Sequence, residues 1–86
     1  MEFEFDPNKS KANKEKHGID FLEAQKLWED PYRIEIPAKK MDEPRFMLIG
    51  KIADQYWSAI FTYRLDKIRI ISARRARTNE KEIYES

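Results

Sequence analysis

The chain has 86 residues, enough for one domain with a modest hydrophobic core and too few for two. It has no cysteine, which excludes a disulfide framework, a thiolate metal site and a thiol nucleophile. Its net charge is +1 and 38% of its residues are charged, but 41% are hydrophobic, so we expect a folded domain with a heavily charged surface. No apolar run has the length of a membrane span and the N-terminus lacks a signal-peptide pattern, which predicts a cytoplasmic protein.

The N-terminal segment predicts a strand followed by a helix. Residues 2 to 5 alternate glutamate with phenylalanine, the period-2 pattern of a half-buried strand. Asp6 can cap a helix and Pro7 fits its first position, because a first-turn amide has no partner within the helix. The helix should run to about His17, and Gly18 can adopt the left-handed conformation that ends it.

A second helix and an edge strand should follow. Asp20 and Glu23 have the spacing of a capping box, in which each side chain binds a backbone amide of the other's turn. One apolar stripe then follows at spacings of three and four, formed by Phe21, Ala24, Leu27 and Trp28. Asp30 and Pro31 end this helix. Residues 32 to 37 alternate in polarity and end on proline, which favours a strand near a sheet edge.

Three further strands are predicted at 45 to 52, 56 to 63 and 67 to 73, after a polar connection at 38 to 44. Short links make these strands antiparallel neighbours, and the last segment, from residue 78 or 79 to 84, should be a short helix. With tight turns the expected register places Lys51 opposite Trp57 and Ala73, and Met47 opposite Phe61 and Arg69. The predicted fold is therefore a single α+β domain over residues 1 to 86. Two N-terminal helices and a short C-terminal helix pack on an antiparallel sheet of about four to five strands.

Positive charge is concentrated near the end of the chain. Between residues 64 and 77 there is one acid, Asp66, and six basic residues: Arg64, Lys67, Arg69, Arg74, Arg75 and Arg77. The strand ladder separates Arg64 from Arg74 by roughly 30 Å, so the two cannot bind one phosphate. We expect Arg74 and Arg75 to lie instead beside the tip of the hairpin at 51 to 57.

Basic groups beside exposed aromatic rings favour single-stranded nucleic acid, because cations bind phosphates and bases stack on rings. A second interpretation pairs the arginines with acids of the following helix, namely Glu80, Glu82 or Glu85. Trp57 can be a core residue or a stacking platform. His17, in the last turn of a helix, is favoured there by the helix dipole and is also a candidate for proton transfer.

The sequence offers little for other kinds of catalysis. With one histidine and scattered acids it predicts no metal site, and its two glycines form no phosphate-binding loop. RNA cleavage suits the residues that remain, because the nucleophile is the substrate's own 2′-hydroxyl. The protein then needs only to orient the strand, accept a proton and stabilise charge on the phosphate, with no cofactor.

Two segments resemble the BrnT toxins of BrnT–BrnA type II toxin–antitoxin modules. They are FEFDPNKSKANKEKHGIDFLEA at 3 to 24 and IRIISARRA at 68 to 76, with Asp30-Pro31 between them and Tyr84 after them. The resemblance implies a RelE-like fold and a bacterial, cytoplasmic endoribonuclease that acts without a metal. It also implies that a BrnA-like ribbon-helix-helix antitoxin inhibits the toxin. The toxin would then contact DNA only indirectly, through this antitoxin. Its motifs point to Arg74, Arg75, Lys16 and His17.

Together these observations predict a metal-independent endoribonuclease toxin. Arg74 and Arg75 would bind the scissile phosphate, and His17 or Lys51 would transfer a proton. The predicted RNA contacts are Lys16, Arg64, Lys67, Arg69, Arg77 and Trp57. The rival prediction is a module that binds RNA or a protein with the same basic edge and cleaves nothing.

Overall fold

The structure is a computed structural model that describes residues 2–38 and 42–86. Its elements in chain order are β1 (Glu2–Glu4), α1 (Pro7–His17), α2 (Phe21–Ala24) continuing as a 3₁₀ segment (Gln25–Glu29), β2 (Ile34–Pro37), β3 (Phe46–Ile52), β4 (Gln55–Arg64), β5 (Lys67–Arg75) and α3 (Thr78–Glu85). The predicted α+β class is confirmed. The polar connection expected at 38 to 44 includes residues 39–41, which lie outside the described residues.

Local signals place the two N-terminal helices. The Asp6 carboxylate accepts a 2.9 Å hydrogen bond from the Asn8 amide at the start of α1, and Gly18 ends the helix with a φ of +81°. At α2 the capping box is complete: the Glu23 amide donates to Asp20 at 2.7 Å and the Asp20 amide donates to Glu23 at 3.0 Å. Both predicted helix starts are thus confirmed, although the second helix becomes 3₁₀ after one turn.

One five-stranded sheet has the order β1-β5-β4-β3-β2. The strands from β2 to β5 are antiparallel neighbours, and β2 with Pro37 forms an edge, as predicted. β1 pairs with β5 in parallel, with Phe3 beside Ile68, so the prediction of a purely antiparallel sheet was wrong. No hairpin joins β1 to β5, and nothing local in the sequence therefore sets their relative direction.

The predicted register was also wrong. Lys51 pairs with Tyr56 instead of Trp57, because the β3–β4 turn has only two residues and pairs Ile52 with Gln55. Trp57 lies opposite Arg75 instead of Ala73. The second predicted alignment, of Met47 with Phe61 and Arg69, is also wrong. Met47 lies opposite Ile60, and Phe61 lies opposite Ile70.

A β-bulge in β5 explains why β4 and β5 pair in a different register from the one predicted. Ile60 pairs with Ser72 and Phe61 with Ile70, so Ile71 is an extra residue in β5. Side chains alternate between the faces of a strand, and one extra residue reverses that alternation. The bulge therefore determines the faces on which the residues after it lie.

The two faces of the sheet carry different helices. α1 and α2 cover the face that we call the helix face, where the core includes Phe21, Ala24, Leu27, Leu48, Phe61, Ile68, Ile70 and Ala73. Trp28 lies edge-on between Phe3 and Phe61, with ring centroids 5.1 Å from each. α3 packs on the opposite face, here called the α3 face, where the buried Glu80 contacts Ser58. No helix among the described residues is long and apolar enough to cross a membrane.

Candidate functional site

Arg75 and Trp57 meet on the helix face at the end of the sheet that carries the β3–β4 turn and the C-terminal end of β5. We call this the hairpin end. The two residues are paired across β4 and β5, and the Arg75 guanidinium lies 5.3 Å from the centre of the Trp57 ring. Arg75 is exposed and Trp57 is partly buried against the core. An exposed cation held over an indole is a surface on which a phosphate and a base can bind side by side.

A cavity of about 250 Å³ adjoins this pair. It is lined by Gly18 and Ile19 from the end of α1, by Glu23 and Lys26 from the next helical segment, and by Ile52, Ala53, Gln55 and Trp57 from the hairpin. Lys16 and His17 directly precede Gly18, so the early and late sequence motifs are brought to one corner of the molecule. His17 is half-buried there and Lys16 is exposed.

Asn13 fixes this corner to the sheet. Its buried side-chain amide donates to the carbonyl of Ile19 at 2.8 Å and to that of Ala73 at 2.9 Å, and it accepts from the Ala73 amide at 3.3 Å. The last turn of α1 is thereby tied to β5 two residues before Arg75.

Arg74 lies on the α3 face, away from Arg75. Its guanidinium binds the Glu80 carboxylate through two hydrogen bonds of 2.9 and 2.8 Å. Ser58 and the Arg77 amide donate to the same carboxylate at 2.8 and 2.9 Å. The bonds from Arg74 and these donors outweigh burial and lower the pKa of Glu80 to about 2. Of the two interpretations of the sequence, pairing with the following helix is the one found at Arg74.

Lys51 belongs to a separate cluster on the α3 face. Its ammonium lies 4.9 Å from the centre of the Tyr56 ring, and that of Lys81 lies 5.8 Å from the same ring. The Tyr56 hydroxyl donates to Glu85, which raises the pKa of Tyr56. This tyrosine is therefore protonated at neutral pH.

Tyr84 is held in a similar way. Its hydroxyl donates to Asp30 at 2.8 Å, and burial together with this bond raises its pKa to about 12. Asp30 also accepts the Lys51 amide at 2.8 Å. The tyrosines thus anchor α3 to β3 and β4, and neither has the ionisation of a general base at neutral pH.

The other predicted basic residues lie at the opposite end of the sheet, which carries the β4–β5 turn and is here called the far end. Arg64 pairs with Glu43 at 3.1 Å and Arg69 with Glu4 at 3.2 Å. Lys67 lies opposite Arg64. Because Lys67 starts β5, this end is about 23 Å from Arg74 along the strand, somewhat less than expected from the sequence.

Among the described residues, salt bridges engage some of the predicted site cations and not others. In the part of the chain that the structure describes, salt bridges engage Lys14, Arg64, Arg69 and Arg74, and none engages Lys16, Lys51, Arg75 or Arg77. Within residues 2–38 and 42–86 no three histidine, aspartate or glutamate side chains form a candidate metal-ligand group.

Some residues of this region were absent from the sequence-based prediction. Lys26 lines the cavity beside Trp57, and Lys81 faces Tyr56. The capping box predicted the start of α2 but not its position against the hairpin, so Lys26 could not be placed. Gln55, which the sequence placed at the hairpin tip, lines the same cavity.

The molecule is a small α+β domain with an exposed arginine over an indole at the hairpin end, an arrangement also used by proteins that bind single-stranded nucleic acid. A search of curated proteins finds no match. The family model described as "Ribonuclease toxin, BrnT, of type II toxin-antitoxin system" matches residues 5–80. The chain belongs to this BrnT family of ribonuclease toxins.

Proposed function

We propose that this protein is a single-domain, metal-independent endoribonuclease toxin that cleaves RNA in the bacterial cytoplasm and so inhibits translation and growth. The observation that carries the proposal is the Arg75–Trp57 pair beside the Lys16–His17 corner. Arg75 has no carboxylate within salt-bridge distance among the described residues, so its charge is available to a phosphate.

The proposed reaction uses the substrate's 2′-hydroxyl as nucleophile. Its oxygen attacks the adjacent phosphorus while a base accepts its proton. The bond from phosphorus to the 5′-oxygen then breaks, and the departing oxygen takes up a proton. The products are a 2′,3′-cyclic phosphate and a 5′-hydroxyl. Arg75 would stabilise the charge that builds on the phosphate oxygens.

Two residues remain candidates for proton transfer. His17 is preferred, because Gly18 next to it lines the same cavity as Trp57. Lys51 is the alternative, and its position on the α3 face favours contact with a strand that passes over the hairpin end.

Arg74 receives a different role in this proposal from the one expected from the sequence. Both nitrogen atoms of its guanidinium fork are bound to Glu80, so we assign it to holding α3 and the end of β5 in position. Lys16 and Arg77 would bind neighbouring phosphates. Arg64, Lys67 and Arg69 would contact RNA far from the bond that is cleaved.

Cleavage in EDTA tests the proposal. Purified protein incubated with single-stranded RNA should produce fragments that end in 2′,3′-cyclic phosphate. Arg75→Ala should abolish them at unchanged melting temperature, whereas the exposed control Arg33→Ala should cleave like the wild type. Loss of cleavage in EDTA would overturn the metal-free mechanism. Intact RNA with retained, salt-sensitive binding would favour the non-catalytic binding module.

The toxin proposal extends to a partner. We expect a BrnA-like ribbon-helix-helix antitoxin to bind this protein, with DNA contacted only through the antitoxin. Expression of the toxin alone should arrest growth, co-expression with the antitoxin should restore it, and Arg75→Ala should be harmless alone. Harmless expression of the wild-type chain at the same level would count against a toxin.

A further inference from the structure

A second, polar cavity lies at the far end of the sheet. Its volume is about 160 Å³, well below the roughly 300–1,000 Å³ of pockets that take larger organic ligands. Four cationic and two acidic side chains line it: Lys9, Arg45, Arg64, Arg69, Asp6 and Glu43. The lining therefore has an excess of positive charge in a space suited to a small ion.

Arg45 supplies a buried donor without a partner. Its Nε atom is shielded from solvent, and no hydrogen-bond acceptor binds it among the described residues. Buried polar atoms are nearly always hydrogen-bonded, and a guanidinium N–H can only donate. An anion bound in the cavity would supply the acceptor that this donor lacks.

The other two arginines of the cavity are loosely held. Arg64 and Arg69 each make one side-chain contact with a carboxylate, at 3.1 and 3.2 Å. Arg74, by contrast, is bound by two shorter bonds to Glu80. Each loosely held guanidinium keeps further N–H donors, which suit the several oxygens of one anion.

Of the two acids that line the cavity, only Glu43 is paired with a cation. Glu43 accepts from Arg64, and the Asp6 carboxylate accepts from the Asn8 amide as the cap of α1. Arg45 and Lys9 take part in no salt bridge among the described residues. These two residues are the cations without a paired acid, and the Asp6 carboxylate offsets one of their two charges.

We propose that this cavity is a phosphate-binding site in which Arg45 is the central donor and Arg64 and Arg69 complete the contact. The phosphate can be free or belong to an RNA strand. The second source rests on the proposed function and would place a phosphodiester at the far end of the sheet while the chain is cleaved at the hairpin end.

Thermal unfolding in inorganic phosphate tests whether the cavity binds a phosphate group, whichever molecule carries it. Phosphate should raise the melting temperature of the wild type above that in chloride of equal ionic strength. Arg45→Gln should abolish this increase, and Arg33→Gln, which removes the same charge outside the cavity, should retain it. An equal effect on all three proteins would overturn the proposal. Arg69→Gln serves as the second cavity variant if Arg45→Gln does not fold.

Binding of single-stranded RNA with 2′-O-methyl groups, which cannot be cleaved by this chemistry, separates the two sources. If the RNA backbone occupies the cavity, Arg45→Gln should lower the slope of log affinity against log salt by about 0.7, the value for one lost phosphate contact. A lost phosphate effect with an unchanged slope identifies the free ion as the ligand. An unchanged slope with an unchanged phosphate effect contradicts the site.

Measuring both RNA cleavage and the phosphate response separates failure of the cavity proposal from failure of the proposed function. If the wild type fails to cleave RNA, the endoribonuclease proposal falls while the phosphate measurement still decides the cavity. If the wild type cleaves and Arg45→Gln keeps the phosphate response, the cavity proposal falls alone.

Discussion

The guanidinium of Arg74 binds the carboxylate of Glu80 through two hydrogen bonds of 2.8 and 2.9 Å on the face of the sheet opposite Arg75. These consecutive arginines therefore have different surroundings. One is locked to a buried acid of α3, and the other lies exposed over Trp57. This division separates a stabilising contact from a candidate substrate contact.

Loss of the Glu80 carboxylate should destabilise the protein strongly. In Glu80→Gln the partly buried Arg74 charge loses its partner, and we expect the free energy of unfolding to fall by about 3 kcal/mol. Urea unfolding followed by fluorescence would measure the change. Glu82→Gln, an exposed position on the same helix, should change stability by less than about 0.5 kcal/mol. Equal effects at the two positions would contradict the role assigned to the ion pair.

The same carboxylate should make stability depend on pH. The pKa of Glu80 is about 2 in the folded protein, against an ordinary value of 4.5 for a glutamate in water, so the folded protein binds fewer protons than the unfolded chain. Its contribution is complete above about pH 4.5 and is lost as the pH falls towards 2. The stability difference between wild type and Glu80→Gln should therefore shrink over this range. A difference that stays constant from about pH 6 to about pH 2.5 would show that folding does not lower the pKa of Glu80.

Asn13 should be important for both stability and site geometry. Asn13→Ala leaves the Ala73 amide and carbonyl and the Ile19 carbonyl without their side-chain partner, which should cost about 3 kcal/mol. Because Asn13 ties the His17 corner to β5, cleavage should also slow at temperatures where the variant is folded. The exposed Asn8→Ala on the same helix is the control and should change neither measurement appreciably.

The β3–β4 turn should accept a stabilising substitution. Ala53 and Asp54 have φ values of +48° and +64°, a conformation that costs an L-residue roughly 1 kcal/mol and that glycine adopts freely. Aspartate tolerates this conformation better than most residues and glycine loses more entropy on folding, so Asp54→Gly should raise the free energy of unfolding by only about 0.5 kcal/mol. Asp66→Gly in the β4–β5 turn, where φ is not positive, should lower it. Differential scanning calorimetry would give both signs, and stabilisation at Asp66 would refute the reasoning.

Local patterns were sufficient for most elements of the fold. The caps at Asp6, Gly18 and Asp20 depend on residues within a few positions, so their chemistry can be recognised without tertiary contacts. The same holds for the edge position of the strand that ends in Pro37. The parallel pairing of β1 with β5 depends on contacts across the whole chain, and for that reason the expected antiparallel arrangement was wrong.

For the candidate site, too, some features follow from the local sequence and others only from tertiary contacts. By itself, the sequence determined that the molecule is a small α+β domain with its arginines at the end of the last strand, because residue periodicity and charge are local properties. Only the tertiary structure decided which arginine lies on which face of the sheet. The bulge at Ile71 reverses the alternation of side chains in β5 and so places Arg74 beside Glu80 and Arg75 over Trp57. A bulge is selected by packing against neighbouring strands and helices, and one residue of shift exchanges the two faces.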